Sequence, residues 1–289
     1  MDKLVSIKIV RDDNKSFVIG NNEEWRFTKK KGMDGFGSFT SKINYIDNAT
    51  TDGGMITSTR MSDADRTIQF AYIKPALNDI ARRRVTAFFN SKSTYRVYVT
   101  YLGRTRWAEG KIKKCVVGTE TTPDKLLKVS VTFLFPNPYW KSYDNFGKDI
   151  AEVQPMIGFP FMVRPNQLTG GKYNFAKMVI LGNDGDVETF CRAVFEANGN
   201  VLNPQLIING EYVRLIDELV KGDVIEMDFT ATPPTVKKNG VNFIGHCDRT
   251  SAFDAMVLGI GDTKVQFDAD NGSDLLVVNI YYNKLYTTV

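Results

Sequence analysis

Hydrophobic periodicity along these 289 residues reads as strand almost everywhere and as helix only once. Residues 4–10 alternate apolar and polar at period two, the pattern of a half-buried strand. The turn cluster Arg11-Asp12-Asp13-Asn14-Lys15 separates them from Ser16-Phe17-Val18-Ile19, which predicts an N-terminal hairpin. Residues 66–72, 95–101, 104–112 and 126–135 repeat the strand pattern, and Leu102-Gly103 suits a tight turn between the second and third of these. The exception opens at Pro75. Leu77, Ile80, Ala81, Val85, Phe88 and Phe89 follow at spacings of three and four, predicting an amphipathic helix of about 15 residues. Arg82-Arg83-Arg84 falls mostly on its other face and reads as a solvated surface rather than a nucleic-acid contact.

Punctuation then divides the chain. Pro136 and Pro138 end the strand before them, because two prolines in three residues cannot continue a central strand. Residues 141–175 hold Gly147, Pro155, Gly158, Pro160, Pro165, Gly170 and Gly171 with little periodicity, so a linker and a domain boundary belong there. The expected domains are residues 1–145 and 146–289. In the second, turn signals such as Asn209-Gly210, Lys221-Gly222-Asp223, Asn239-Gly240 and Asn271-Gly272 recur at short intervals between short strands, which predicts an all-β sandwich. The fold class expected is mainly β: an N-terminal β-sandwich or split-barrel-like domain with one α-helix, followed by a C-terminal β-sandwich domain.

Composition narrows the chemistry. Apolar residues at 43% and charged residues at 24% allow a real core and argue against global disorder. No apolar run reaches the roughly 18 residues of a membrane helix, so no membrane insertion is expected. The first residues lack the pattern of a signal peptide, so synthesis in a cytoplasm is expected. Three widely spaced cysteines (115, 191, 247) without a CxxC, and a single histidine, exclude a disulfide framework, a zinc ribbon and any mechanism needing two imidazoles. Residues 1–140 carry 24 Lys and Arg against 14 Asp and Glu, whereas the remainder is acidic, with 13 against 19. Such asymmetry suits nucleic-acid contact, electrostatic matching between copies, or simply two domains of different composition.

Catalytic signatures are missing. Gly35-Phe36-Gly37 begins like a dinucleotide loop but lacks the third glycine and a surrounding βαβ unit, and there is no P-loop, G-x-S-x-G or H-E-x-x-H. His246 and Cys247, read as strand neighbours, point to opposite faces and cannot share a proton locally. Asp184/Asp186 and Asp268/Asp270 read as turn residues rather than calcium ligands. Tyr212, Phe243, Phe253 and Tyr286 are the rings that could stack on sugars. No catalytic, cofactor-binding or metal-binding residue is expected, and the chain is not expected to be an enzyme.

The order of motifs resembles the distal tail (Dit) family of long-tailed bacteriophages. Phe135-Pro136-Asn137-Pro138-Tyr139-Trp140-Lys141 matches the element that closes that family's first domain. The second half is similar to the family's galectin-like C-terminal domain through Asn183-Asp184-Gly185-Asp186, Phe195-Glu196, Asn203-Pro204, residues 219–228, Lys237-Lys238-Asn239-Gly240-Val241-Asn242, Ser251-Ala252-Phe253, Gly259-Ile260-Gly261 and residues 282–286. Cys191 departs from the pattern, where the family often has a proline. The resemblance implies a structural virion protein at the distal end of the tail, a hub forming a six-fold ring. Its partners would be other copies of itself, the tail tube protein, the tail-associated fibre or lysin protein and, in some phages, receptor-binding proteins. DNA would pass through the ring without specific binding, so the excess positive charge is expected at subunit contacts or outside. Residues 29–39 and 43–63 are then expected as arms that reach a neighbour. Lys30, Met33, Phe36, Phe39, Ile43, Tyr45, Met55 and Ile56 are the candidate contacts. The competing readings are a carbohydrate-binding adhesion module of a phage tail or tail-like bacteriocin, the same hub in a contractile tail, and a carboxylate-dependent hydrolase.

Overall fold

The computed structural model describes residues 5–20, 23–28, 32–62, 64–119, 125–143, 146–149 and 177–289, with the backbone alone for 146–149. The linker-like residues 150–175 therefore lie outside the described residues. The chain divides into two compact units, residues 1–143 together with 285–289, and residues 144–284. The last five residues thus rejoin the first unit.

The first unit contains β1 (Ser6–Arg11), β2 (Ser16–Gly20), β3 (Trp25–Phe27), β4 (Met33–Asp34), β5 (Ser41–Asp47), β6 (Gly54–Met61), β7 (Ala64–Tyr72), α1 (Asn78–Phe88), β8 (Thr94–Tyr101), β9 (Arg104–Val117), β10 (Lys128–Phe135) and β11 (Trp140–Ser142). Its main sheet runs β2-β1-β8-β9-β10-β7-β3, all antiparallel and nearly closed on itself. Alternation drives this closure: Ile7 and Ile9, Val97 and Val99, Val129, Val131 and Phe133 all point inward and are buried. The β8–β9 hairpin turns at Leu102 and Gly103, both with positive φ (49° and 82°), as a two-residue turn with matching twist requires.

The helical segment is shorter than its spacing predicts. A 3-10 turn covers Pro75–Leu77 and α1 follows, burying Ala81, Val85 and Phe88. Leu77 and Ile80 are exposed, contrary to expectation. Leu77 precedes α1 with non-helical dihedrals, so it is out of phase, and Ile80 sits about 100° around the helix from Ala81. The helix seals an aromatic core in which the Phe17 ring lies 5.1–5.7 Å from those of Trp25, Phe70, Phe88 and Phe89.

The proline-rich element lies at the end of the first unit's main segment and folds over its core. Trp140 is fully buried, and Arg66, also fully buried, donates to the Pro138 carbonyl at 2.5 Å with its guanidinium over the Phe135 and Trp140 rings. β25 (Leu285–Tyr286) pairs with β11, placing Tyr286 opposite Trp140.

The second unit contains β12 (Phe146–Asp149), β13 (Met178–Asn183), β14 (Thr189–Ala197), β15 (Val201–Leu202), β16 (Gln205–Ile208), β17 (Glu211–Arg214), β18 (Glu218–Leu219), β19 (Val224–Asp228), β20 (Thr235–Lys238), β21 (Val241–Asn242), β22 (Val257–Leu258), β23 (Gly261–Asp268) and β24 (Leu276–Tyr282). One sheet runs β12-β24-β14-β19-β20-β21, a second runs β13-β23-β16-β17, and both contribute to a single apolar core. Asn209-Gly210 and Asn239-Gly240 turn the β16–β17 and β20–β21 hairpins with positive φ at both residues. Among the described residues no helix is long and apolar enough to cross a membrane.

Candidate assembly surface

One element of the first unit has no partner among the described residues. β5 and β6 pair only with each other, as a sheet of two strands, and every residue of the pair is exposed except the half-buried Met61. A lone hairpin of this kind is at best marginally stable in water. Its base is closed by the Ser62 N–H donating to the Thr40 carbonyl at 2.8 Å. Its tip is closed by the Asn48 N–H donating to the Gly53 carbonyl at 2.9 Å, where Gly53 has φ 96°. Gly54 is required there, since a Cβ would stand 2.6 Å from the Ile46 carbonyl oxygen.

The register assigns the faces. Ile43 lies opposite Thr59 and Tyr45 opposite Ile56, so these four share one face. On the other face Lys42 opposes Arg60, Asn44 donates to the Ser58 hydroxyl at 2.9 Å, and Ile46 opposes Met55. Thr57 is the extra residue at the register shift, and its hydroxyl donates to the Asn44 carbonyl at 3.1 Å. Ile43, Tyr45, Ile46, Met55 and Ile56 are each 52–64% exposed. Burying one such side chain contributes about 1.5–3 kcal/mol. Two like charges directly opposite, as with Lys42 and Arg60, oppose pairing until a carboxylate answers them. Both outer edges of the hairpin also present unpaired backbone donors and acceptors, a template for another strand. Chemically, then, the arm offers exposed apolar side chains and open strand edges.

The other contact candidates are distributed around its foot. Phe39 is exposed beside the base, and Met33 lies half-buried in β4, paired with Ile68. Phe36 is a core residue: it is buried, its ring 5.5 Å from that of Trp140, and its carbonyl accepts from the Val289 N–H at 3.2 Å. Gly35, with φ 79°, turns the loop so that Phe36 points inward. Lys30 lies outside the described residues. Ile46, opposite Met55, is as exposed as the candidates, and the alternation of Asn44, Tyr45 and Ile46 gives no single apolar face to find it by.

Elsewhere several side chains with chemical potential are already engaged. Arg82 donates to the Gly118 carbonyl, Arg83 pairs with Asp79 and Arg84 with Glu24. The Lys74 and Arg84 cations hold the Glu24 carboxyl below its ordinary range. Asp184 pairs with Lys284, Asp268 with Lys177 and Asp270 with Arg214. No cluster of three or more metal-ligating side chains occurs among the described residues. His246 lies in a 3-10 turn, not a strand, its ring stacked on Phe243 at 3.8 Å. Burial pushes the Cys247 thiol up to about 11, the reverse of an activated nucleophile. Of the rings considered for sugars, Tyr212 shares a hydrogen bond with the Thr250 hydroxyl at 2.8 Å. Phe253 packs 6.2 Å from Phe229, and Tyr286 lies in the first unit under the Arg106 guanidinium at 3.6 Å. All four rings are half-buried.

No family model and no curated protein matches the sequence. Solved structures do match. The SPP1 Dit (gp 19.1) protein, a paradigm of the hub adsorption apparatus in phages infecting Gram-positive hosts, superposes with a TM-score of 0.67 over 96% of this chain and 98% of its own, at 10% identity. The chain has the fold of a phage hub protein. A chain of the phage P2 baseplate in its activated conformation with Ca matches with a TM-score of 0.55 over 99% of both chains at 12% identity. The same baseplate with Sr matches at 0.54 and 12% identity, again over 99% of both chains.

Proposed function

We propose that this chain is a structural hub subunit at the distal end of a phage tail. Copies of it assemble, six to a ring, through the first unit, and the β5–β6 arm makes the contact between neighbours. The observation that carries this is the arm itself: a solvent-stranded hairpin with an apolar face, on a chain whose whole length follows the fold of hub and baseplate proteins. A heterologous contact that closes into a ring would bury that face once per subunit. The ring joins the tail tube protein to the baseplate or tail-tip fibre proteins, in some phages with receptor-binding proteins, and DNA passes through it without specific binding. The role is non-enzymatic and the site of action is the virion, after synthesis in the host cytoplasm.

Negative-stain electron microscopy over a range of concentrations tests the reading. The full chain is expected to form rings with a central hole. A variant with residues 41–61 replaced by a short Gly-Ser linker is expected to stay folded and monomeric. Rings that persist in the variant would overturn the assignment of the arm.

A further inference from the structure

The surface that the arm grips can be read from a second unpaired edge. β8 stops at Thr94, opposite Lys111, so β9 runs on from Ile112 to Val117 with β10 on one side and no strand on the other among the described residues. Residues 113–116 of this overhang are exposed. Lys111 lies opposite Leu134 and Lys114 opposite Thr132, and Lys128 lies on the same face of β10 as both of those residues. Three lysines therefore share one outward face at and beside the overhang, Lys111 just before it, Lys114 within it and Lys128 on the neighbouring β10, and no ion pair is formed by any of them among the described residues. Lys113, the extra residue at the register shift, is used up locally in a pair with Asp65.

Lysines along a strand edge normally repel other strands. They become a selective feature when the incoming strand is acidic. The arm matches this requirement. Its only carboxylates, Asp47 and Asp52, flank the tip, whereas its cations Lys42 and Arg60 sit at the foot. Each element has open backbone groups, and their charges are opposite.

We infer that an outer strand edge of one copy's arm, at its tip half, adds to the Ile112–Val117 edge of the next copy and brings Asp47 and Asp52 toward Lys111, Lys114 and Lys128. The inference rests on the ring reading above. It gives that ring two different surfaces per contact, as a heterologous interface needs. It also places part of the basic excess of the first 140 residues at a subunit contact.

The test uses the full chain at concentrations where rings are seen. Cys115 lies exposed on the overhang and Cys191 is fully buried. Thr50→Cys at the arm tip, treated with a short bismaleimide, is expected to give a ladder of covalent multimers that disappears when Cys115→Ser is added. Separately, Lys111→Glu with Lys114→Glu is expected to raise the concentration needed for assembly by about tenfold or more, and adding Asp47→Lys with Asp52→Lys is expected to bring it back. Rings that form normally with no Cys115-dependent ladder and no effect of charge reversal would overturn the acceptor assignment alone. Wild-type chain that is folded but gives no rings, with a Thr50→Cys variant that gives no ladder, would overturn the ring reading with it.

Discussion

Two hairpins of the first unit differ in one respect. The β8–β9 hairpin and the β5–β6 arm both alternate side-chain character and both close on turns with positive φ. In the former, Val97, Val99 and Ala108 are buried in the unit's apolar core. In the latter, Ile43, Tyr45 and Ile56 face solvent. The chemistry of the strands is alike; what differs is where the covering surface comes from, the same chain or another. Mutations at equivalent positions should therefore separate stability from assembly.

The largest separation is expected from a buried charge. Val97→Asp should cost about 4 kcal/mol or more in a urea titration, because it places an unpaired carboxylate in the core. Ile43→Asp in the arm should change monomer stability by no more than about 0.5 kcal/mol and abolish rings. Equal losses at the two sites would mean that the arm is covered within its own chain.

Arg66 sharpens the comparison from inside the core. It is fully buried, its Nε and one terminal nitrogen have no hydrogen-bond partner, and burial lowers its pKa to about 10. Its value should lie in filling space between Phe135 and Trp140 more than in its charge. Arg66→Met is expected within about 1 kcal/mol of wild type and Arg66→Ala to cost about 2–4 kcal/mol. Thermal melts of the two variants decide between volume and charge.

A smaller effect is expected at the arm's tip. Gly54→Ala forces a Cβ toward the Ile46 carbonyl and should bend the tip. Ring assembly should weaken severalfold while the melting temperature stays unchanged.

The smallest effect is a slope with pH. Burial raises the Cys191 thiol to about 12 and the Cys247 thiol to about 11, from an ordinary value of 9.0. Stability from keeping them neutral is complete below the unfolded-state value and is lost as pH climbs from there through the folded values. Serine at both positions should flatten the stability decline above about pH 9. Iodoacetamide at neutral pH should label the exposed Cys115 well before the other two.

Much of the fold was legible because its signals are local. Asn-Gly pairs at 209 and 239 mark hairpins, and alternation marks the strands of both units. Other features depend on distant partners that no local pattern encodes. Leu285 and Tyr286 pair with Lys141 and Trp140 across more than 140 residues of chain, and nothing in their own sequence says so. Phe36 reads as an exposed aromatic in a Gly-rich loop, yet Trp140, far along the chain, supplies its pocket. The arm was legible as an extended segment, while its pairing was hidden by Thr, Ser and Asn, which blur the alternation. The lysine overhang was not legible at all, because its meaning lies in β8 stopping before β9 does.

Hydrogen exchange of the arm in the free and assembled chain is the most direct measurement of the central claim. Amides of residues 41–61 are expected to exchange within seconds in the monomer, as in a frayed hairpin, and to become protected by at least about a hundredfold in isolated rings. Rings whose arm amides exchange as fast as those of the monomer would contradict the account.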